Sequence, residues 1–443
     1  MSLDPSTVAR SIEPLARQSG TIADVLVERR REVTVVWRDG EAVETRFVST
    51  EALAARWQRA GEQRLVSLSR VDESGLREAV RELQTGLGRA PIPLRPAPAT
   101  TSPQQESAPA VERWSKRLAS IFSRLAPRHC FRWTLQEVAR DMFPAGAPWL
   151  SHTRRLLSLE GSFTAASRRG DEARPFSFHS PESETTADEL RACLARAAEP
   201  REVPTPGPEG ETDAVLAAGS AVMLFHEILS HPLEAGSVSP LSGLQEARLA
   251  VSDLEVRDDA TRLDLFGGYE IDDEGVRPRP VKLLDAGRLA GRLTSRASTE
   301  RLEREASNGH GRRAEVGDPP LPRGSNVIVS AGGVTREEMA RRLGQGLWIE
   351  EFAGGSVDLA RGSFRLLFPR ARRVRRGRLA EEHGPGMLAG EILPALRNVE
   401  SGLGRETHPY RGLGWCSRWG QIVAVQGASP DVLIRQLAVR ARV

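Results

Sequence analysis

The stretch 213-DAVLAAGSAVMLFHEILSHPLEAG-236 decides the reading of this chain. It is apolar up to Phe225 and then admits two histidines and two glutamates. This predicts one helix buried in a core and closed by a polar cluster that needs partners. Beyond it, turn signals recur at 267-GG, 285-DAGR, 332-GG and 354-GG, and short apolar segments such as 326-NVIVS-330 and 363-SFRLLF-368 lie between them. Short apolar runs between close turns predict a β-rich domain around that helix. Before it, 199-EPREVPTPGPEGET-212 is dense in Pro, Gly and Glu and marks a domain boundary. The expected division is 1–205 and 213–443.

In the N-terminal part, Val8, Ile12, Leu15 and Ala16 fall at helical spacing within residues 5–20. Residues 22–49 alternate apolar and polar, and Asp39-Gly40 splits them into two antiparallel strands. Helices are expected at 73–86, 111–126, 134–142 and 186–198, and strands between 150 and 180. The segment 89-RAPIPLRPAPATTSPQQESAPA-110 reads as a loop or linker, because its Pro, Ala, Ser and Gln bury little apolar surface. The expected fold class is α+β with two domains. The first is α+β around an antiparallel sheet, and the second is β-rich and carries the helix with the histidines. A chain of 443 residues is long enough for two cores.

Composition narrows the function classes. The net charge is +3, so the pI of about 9.0 reflects a small arginine surplus. No Lys/Arg stripe interleaved with aromatics is present, which argues against nucleic acid as a partner. The run 370-RARRVRRGR-378 reads as a solvated strand end or hairpin. Three cysteines, Cys130, Cys193 and Cys416, argue against a disulfide framework. Residues 1–20 lack the apolar stretch of a signal peptide, and no apolar run approaches the ~18 residues of a membrane span. The expectation is a cytoplasmic protein with no membrane partner, whose reduced thiols can ligate metal.

The chemistry concentrates in 226-HEILSH-231. His226 and Glu227 open like the H-E-x-x-H motif, in which residues four apart share a helix face and bind one ion. Here the second histidine, His231, stands five residues on. Five steps of a regular helix turn roughly 140°, too far for both rings to reach one metal. Either the helix widens by one residue into a π turn, or it ends near Ser230 and His231 points back. Pro232 favours the second, since a residue before proline is pushed from the α region. Glu234 adds a nearby carboxylate and a candidate fourth ligand. The distant segment 412-GLGWCSRWGQ-421 offers Cys416 as a soft ligand on a tight turn.

These motifs resemble the TldD/PmbA metalloproteases, also called modulators of DNA gyrase, and specifically their catalytic TldD-type subunit. The resemblance rests on 226-HEILSH-231 with Leu233-Glu234-Ala235-Gly236, on 309-GHGRR-313 followed by 322-PRGSNV-327, on 354-GGSVD-358 with 362-GSF-364, and on 414-GWCSRWGQ-421. It implies that His226, His231 and Cys416 bind Zn2+ and that Glu227 is the general base of peptide hydrolysis. It further implies two-domain subunits paired around a cavity, as a homodimer or with a PmbA-type sister, admitting small or unfolded peptides. The sister type lacks the H-E-x-x-x-H. This sequence departs from the family at Ser417 and Arg418, where Gly and Lys are usual, and at Pro232, where glycine is usual.

Two further elements carry alternatives. Gly354 and Gly355 fit a backbone strand that pairs with the peptide, or a plain β-turn. Arg312 and Arg313 fit contact with a peptide carboxylate, or anchoring of a loop. The other histidines, His310 among them, have no ligand spacing and read as ordinary residues, and Cys130 and Cys193 as small hydrophobes. A non-enzymatic partner or regulatory subunit with a structural metal site is the competing reading.

Overall fold

The computed structural model describes residues 3–17, 20–59, 62–85, 103–122, 129–167, 170–198, 209–302 and 306–441. It is α+β and dominated by sheet. Among the described residues, no helix is long and apolar enough to cross a membrane.

The first sheet is antiparallel and six-stranded. Its strands are β1 (Ile22–Arg38), β2 (Glu41–Arg59), β3 (Glu62–Leu68), β4 (His129–Pro144), β5 (Leu150–Ser167) and β6 (Gly170–Pro181), in the order β3-β2-β1-β4-β5-β6. The β1–β2 turn falls at Asp39-Gly40, as expected, with both residues at positive φ. Helices α1 (Pro5–Ile12) and α2 (Glu73–Thr85) cover one end of a face through Val8, Ile12, Leu76 and Val80 against Val25, Val27 and Leu53. Helices α3 (Pro103–Phe122) and α4 (Ala187–Ala198) cover the other end through Trp114, Leu118, Leu190 and Leu194.

Two expectations for this part need correction. Residues 134–142 lie inside β4, not in a helix. Their helically spaced apolar positions yield to pairing between β1 and β5, where Phe131, Trp133 and Leu135 alternate into the core. The segment read as a loop is helical over its last part, since α3 starts at Pro103. Residues 89–102 and 199–208 of the two Pro-rich stretches lie outside the described residues.

The opposite face of β1 and β2 meets the C-terminal part through buried charges. Arg56, fully buried, bridges Asp24 and Glu274, the latter at 2.6 Å. Arg140 bridges Glu28, at 2.6 Å, and Asp273. Buried cations such as these are stabilising only when fully paired, and here each has two carboxylates. Leu26, Ala52, Ala54 and Met142 close around Val316 beside them.

The C-terminal part holds an eight-stranded sheet in the order Gly354–Asp358, Ser363–Phe368, Gly386–Glu391, Val432–Ala441, Gly210–Leu216, Gly346–Ile349, Ala371–Arg375, Arg378–His383. A six-stranded sheet and two small hairpins complete it, with short helices Arg296–Leu302, Arg336–Leu343 and Ile392–Arg397. The opening of the decisive stretch differs from its reading as helix. Residues Gly210–Leu216 form a strand, β7, between two others, and only Ala221–Phe225, helix α5, is regular helix. A short apolar run such as Ala214-Val215-Leu216 carries no period that separates a buried strand from a helix. Every residue of α5 is buried, as expected.

Candidate metal centre

The helix does not end at Ser230. After α5 it widens into one π turn over His226–Ser230, and the His231 N–H donates to the His226 carbonyl five residues back. A single 3₁₀ turn over His231–Leu233, with Pro232 in its first turn, then closes it. His231 stays helical at φ −61°, ψ −44°, against the bias imposed by Pro232. The extra residue per turn rotates His231 back toward His226, so the two rings meet edge to face with centroids 4.6 Å apart. The hairpin Trp415–Arg418/Gln421–Ala424 brings Cys416 to them, with Sγ 3.2 Å from His231 Nε2.

The ligand-capable atoms of His226, His231 and Cys416 lie within 4.8 Å of one another, and all three residues are buried. Among the described residues neither nitrogen of His226 has a hydrogen-bond partner, although both are buried. An imidazole stripped of water on both sides is costly unless something else takes its lone pair. Burial, with Arg418 and Arg323 nearby, pushes the His231 pKa down to about 3, and burial with His231 holds His226 well below its ordinary value. Both rings are therefore neutral, the state that ligation requires. Burial pushes the Cys416 thiol up, against the pull of Arg323, so ligation would have to displace its proton. A His-His-Cys set suits a borderline metal such as zinc, and three donors leave a position open.

Glu234 stands outside this cluster. Its carboxylate takes His231 Nδ1 at 3.2 Å and the Gly324 N–H at 3.3 Å, and it pairs with Arg418 and, at 3.6 Å, with Arg323. A carboxylate on Nδ1 is the kind of outer partner that orients a metal-binding histidine, and here it leaves Nε2 turned toward Cys416. Arg418, in the family's lysine place, also donates to His231 O at 3.0 Å and Ser237 Oγ at 2.8 Å and stacks on Trp419. Glu227 is different. It is buried, its carboxylate has no hydrogen-bond partner among the described residues, and burial pushes its pKa up to about 7.

His226, Glu227, His231 and Cys416 line one cavity of about 1450 Å³ whose walls come from both parts of the chain. From the N-terminal side come β6 and α4, with His179, Glu189 and Arg196. His179 packs on Gly414, where a Cβ would fall 2.2 Å from the ring, so only glycine lets the ligand hairpin sit there. Gly354 and Gly355 also line the cavity, in an extended strand rather than a turn. That strand pairs with Ser363–Phe368 and is the last of its sheet. Arg312 and Arg313 are buried and are not in the cavity wall. Arg312 donates to Gly324 O and covers the Tyr269 ring, while Arg313 holds Asp273 and Val316 O, which is the loop-anchoring alternative. His310 is buried and bonded to Asp258, which also takes Ser325 and Ser230.

Arg323 and Asp258 escaped sequence reasoning as functional supports. The only signal was the segment 322-PRGSNV-327, quoted above without a role for its arginine.

The α+β fold thus brings a buried His-His-Cys cluster together beside the Glu227 carboxylate. The family model described as "PmbA/TldA metallopeptidase C-terminal domain" matches residues 209–441, more than half of the chain, and the chain belongs to that family. A metalloprotease of Methanothermobacter thermautotrophicus is 33% identical over 239 residues, covering 53% of this chain and 51% of that protein. A "Zinc metalloprotease TldD homolog" of Saccharolobus solfataricus is 24% identical over 240 residues, covering 52% of each. The chain thus aligns with about half the length of these relatives. The solved structure of TldE from Thermococcus kodakarensis shares the fold, with a TM-score of 0.76 at 14% identity, over 98% of this chain and 99% of that one.

Proposed function

We propose that the protein is a zinc-dependent peptidase acting on small or unfolded peptides, with His226, His231 and Cys416 as ligands and Glu227 as general base. The observation that carries this is the orphaned His226 ring, buried with two free nitrogens against His231 and Cys416. A bound zinc ion would supply Lewis acidity, acidifying water and polarising a carbonyl. Glu227, ionised beside a cation, takes the proton of the attacking water and passes it to the leaving amine. The edge strand Gly354–Asp358 lies against Glu227 and offers its outer backbone edge to an extended peptide, which would bind through its main chain. A folded protein does not fit a cavity of about 1450 Å³, whereas an extended segment does. The relation to TldE supports a dimer, with itself or with a PmbA-type sister, and the sheets support a division into domains 1–205 and 213–443.

The test is zinc content and cleavage of an unstructured peptide by wild type and Glu227→Gln. The variant is expected to keep zinc and lose roughly 10²–10⁴-fold in rate, as for removal of a general base. Cleavage at the wild-type rate would remove Glu227 from the mechanism. A wild-type protein that takes up no zinc would remove the reading altogether.

A further inference from the structure

We infer that Arg323 is the positioning residue of the metal centre, holding Cys416 directly and His231 through Glu234. The inference rests on the zinc reading above and adds a role for a residue outside the cavity wall. Arg323 is fully buried between the short strand Leu321–Pro322 and the core strand Asn326–Val329. Its guanidinium reaches both sides of the ligand hairpin. Nη2 donates to the Cys416 carbonyl at 3.0 Å and to its Sγ at 3.2 Å, and Nη1 donates to the Gln421 carbonyl at 3.2 Å and the Arg418 carbonyl at 3.5 Å. Nε stands 3.6 Å from Glu234 Oε1, the atom that faces His231 Nδ1 at 3.2 Å.

One rigid plane thus hydrogen-bonds a ligand sulfur and the backbone that aims it, and stands in ion-pair range of the carboxylate that orients a second ligand. The two ligands are 185 residues apart in sequence, and Arg323 lies on neither element. A fork of fixed N–H directions can meet these acceptors together, whereas the single ammonium of a lysine cannot. An N–H donated to Sγ also fixes which side of the sulfur is left to face His231. Loss of an outer partner of this kind costs roughly 10–100-fold in metal affinity. Arg418 supports the same carboxylate from the cavity side, and its guanidinium otherwise donates to the His231 carbonyl and Ser237 Oγ.

The experiment uses the full chain and four forms: wild type, Arg323→Met, Arg323→Lys and Arg323→Met combined with Cys416→Ala, with Cys416→Ala alone as reference. Zinc affinity is measured by competition with a chromophoric chelator, and the cobalt-loaded forms are examined for the thiolate-to-cobalt charge-transfer band. Arg323→Met is expected to bind zinc roughly 10–100-fold more weakly and to show a diminished band. Arg323→Lys, which keeps the charge and the fold, is expected to fall between. In the Cys416→Ala background the Arg323→Met penalty should shrink to a few-fold, because its main target is gone. Wild-type affinity with an unchanged band in Arg323→Lys overturns the positioning role, and this holds even if Arg323→Met does not fold. So does a full penalty that persists without Cys416, which would make Arg323 a scaffold residue. Failure of the wild type to bind zinc or cobalt at all overturns the metal reading instead, and so separates the two.

Discussion

Substituting Gly355 by alanine tests the claim that the edge strand and Glu227 form one device. A methyl built on Gly355 falls 3.0 Å from Glu227 Oε1, 3.2 Å from Glu227 Cγ and 2.9 Å from Leu366 Cδ2. Ordinary carbon contacts lie at about 3.5–4.0 Å, so roughly half an ångström must be found. Leu366 is fully buried in the main core and cannot swing away, which leaves the Glu227 side chain to move. A displacement of 1 Å at a reacting group costs about 10²-fold, so half of that predicts a loss of roughly 10-fold in kcat/KM. Overpacking adds a stability cost of about 1–3 kcal/mol. None of the three proposed ligands supplies an atom nearest the new methyl, so zinc content should not change. The assay is kcat/KM on an unstructured peptide, alongside zinc content and thermal unfolding. Gly333→Ala, where nothing lies within 4 Å, serves as the comparison and should behave as wild type. Wild-type kcat/KM in Gly355→Ala would refute the coupling between strand and carboxylate. An equal loss in Gly333→Ala would refute its local origin.

Two further outcomes concern how the parts of the chain hold together over the cavity. Burial pushes the His179 pKa down to about 4, and the half-exposed Glu160 at 3.7 Å is too well solvated to offset it. The unfolded chain binds this proton near pH 6.5 and the folded chain does not, so stability is present above that pH and lost as pH falls toward 4. Between pH 7 and pH 5 the loss from this residue is about 2 kcal/mol, and a urea midpoint that falls equally in His179→Gln would show that the proton goes elsewhere. Glu274→Ala leaves the fully buried Arg56 with Asp24 alone. Breaking a buried pair costs about 3–5 kcal/mol, and the remaining partner should keep the loss near the lower figure. Chemical denaturation checks it, and an unchanged midpoint would mean that water reaches Arg56.

Where the sequence was legible, local chemistry and tertiary outcome agreed. Asp39-Gly40 needs positive φ and made the hairpin, and Leu76, Val80 and Leu83 on one face made α2. Where they disagreed, the tertiary partner won. Residues 134–142 carry a helical spacing, yet both edges of their backbone are claimed by β1 and β5. Ala214-Val215-Leu216 could not declare itself a strand, because its partners lie more than 130 and 215 residues downstream. His226, Glu227 and His231 were legible because their residue types are rare in an apolar run. Their supports were not, since Arg323 and Asp258 are common residue types whose meaning comes only from what they face.

The five-residue step between the histidines shows how a local defect and a tertiary demand settle on one geometry. Sequence alone left two solutions, a π turn or a helix end, and Pro232 argued for the end. The structure takes the π turn, and Pro232 ends the helix only after His231. Proline has no N–H, so the His231 N–H is the last donor before the regular ladder must stop. Given to the carbonyl four residues back, it would leave the rings roughly 140° apart. Given to His226, five back, it widens the turn and brings the rings to 4.6 Å. The proline then starts a 3₁₀ turn, which sends Glu234 back beneath His231 to hold Nδ1. The widened turn places the two proposed ligands, and the break after it supplies the outer partner of one. A proline that looked like a departure from the pattern therefore does work that a glycine could do only with a looser chain.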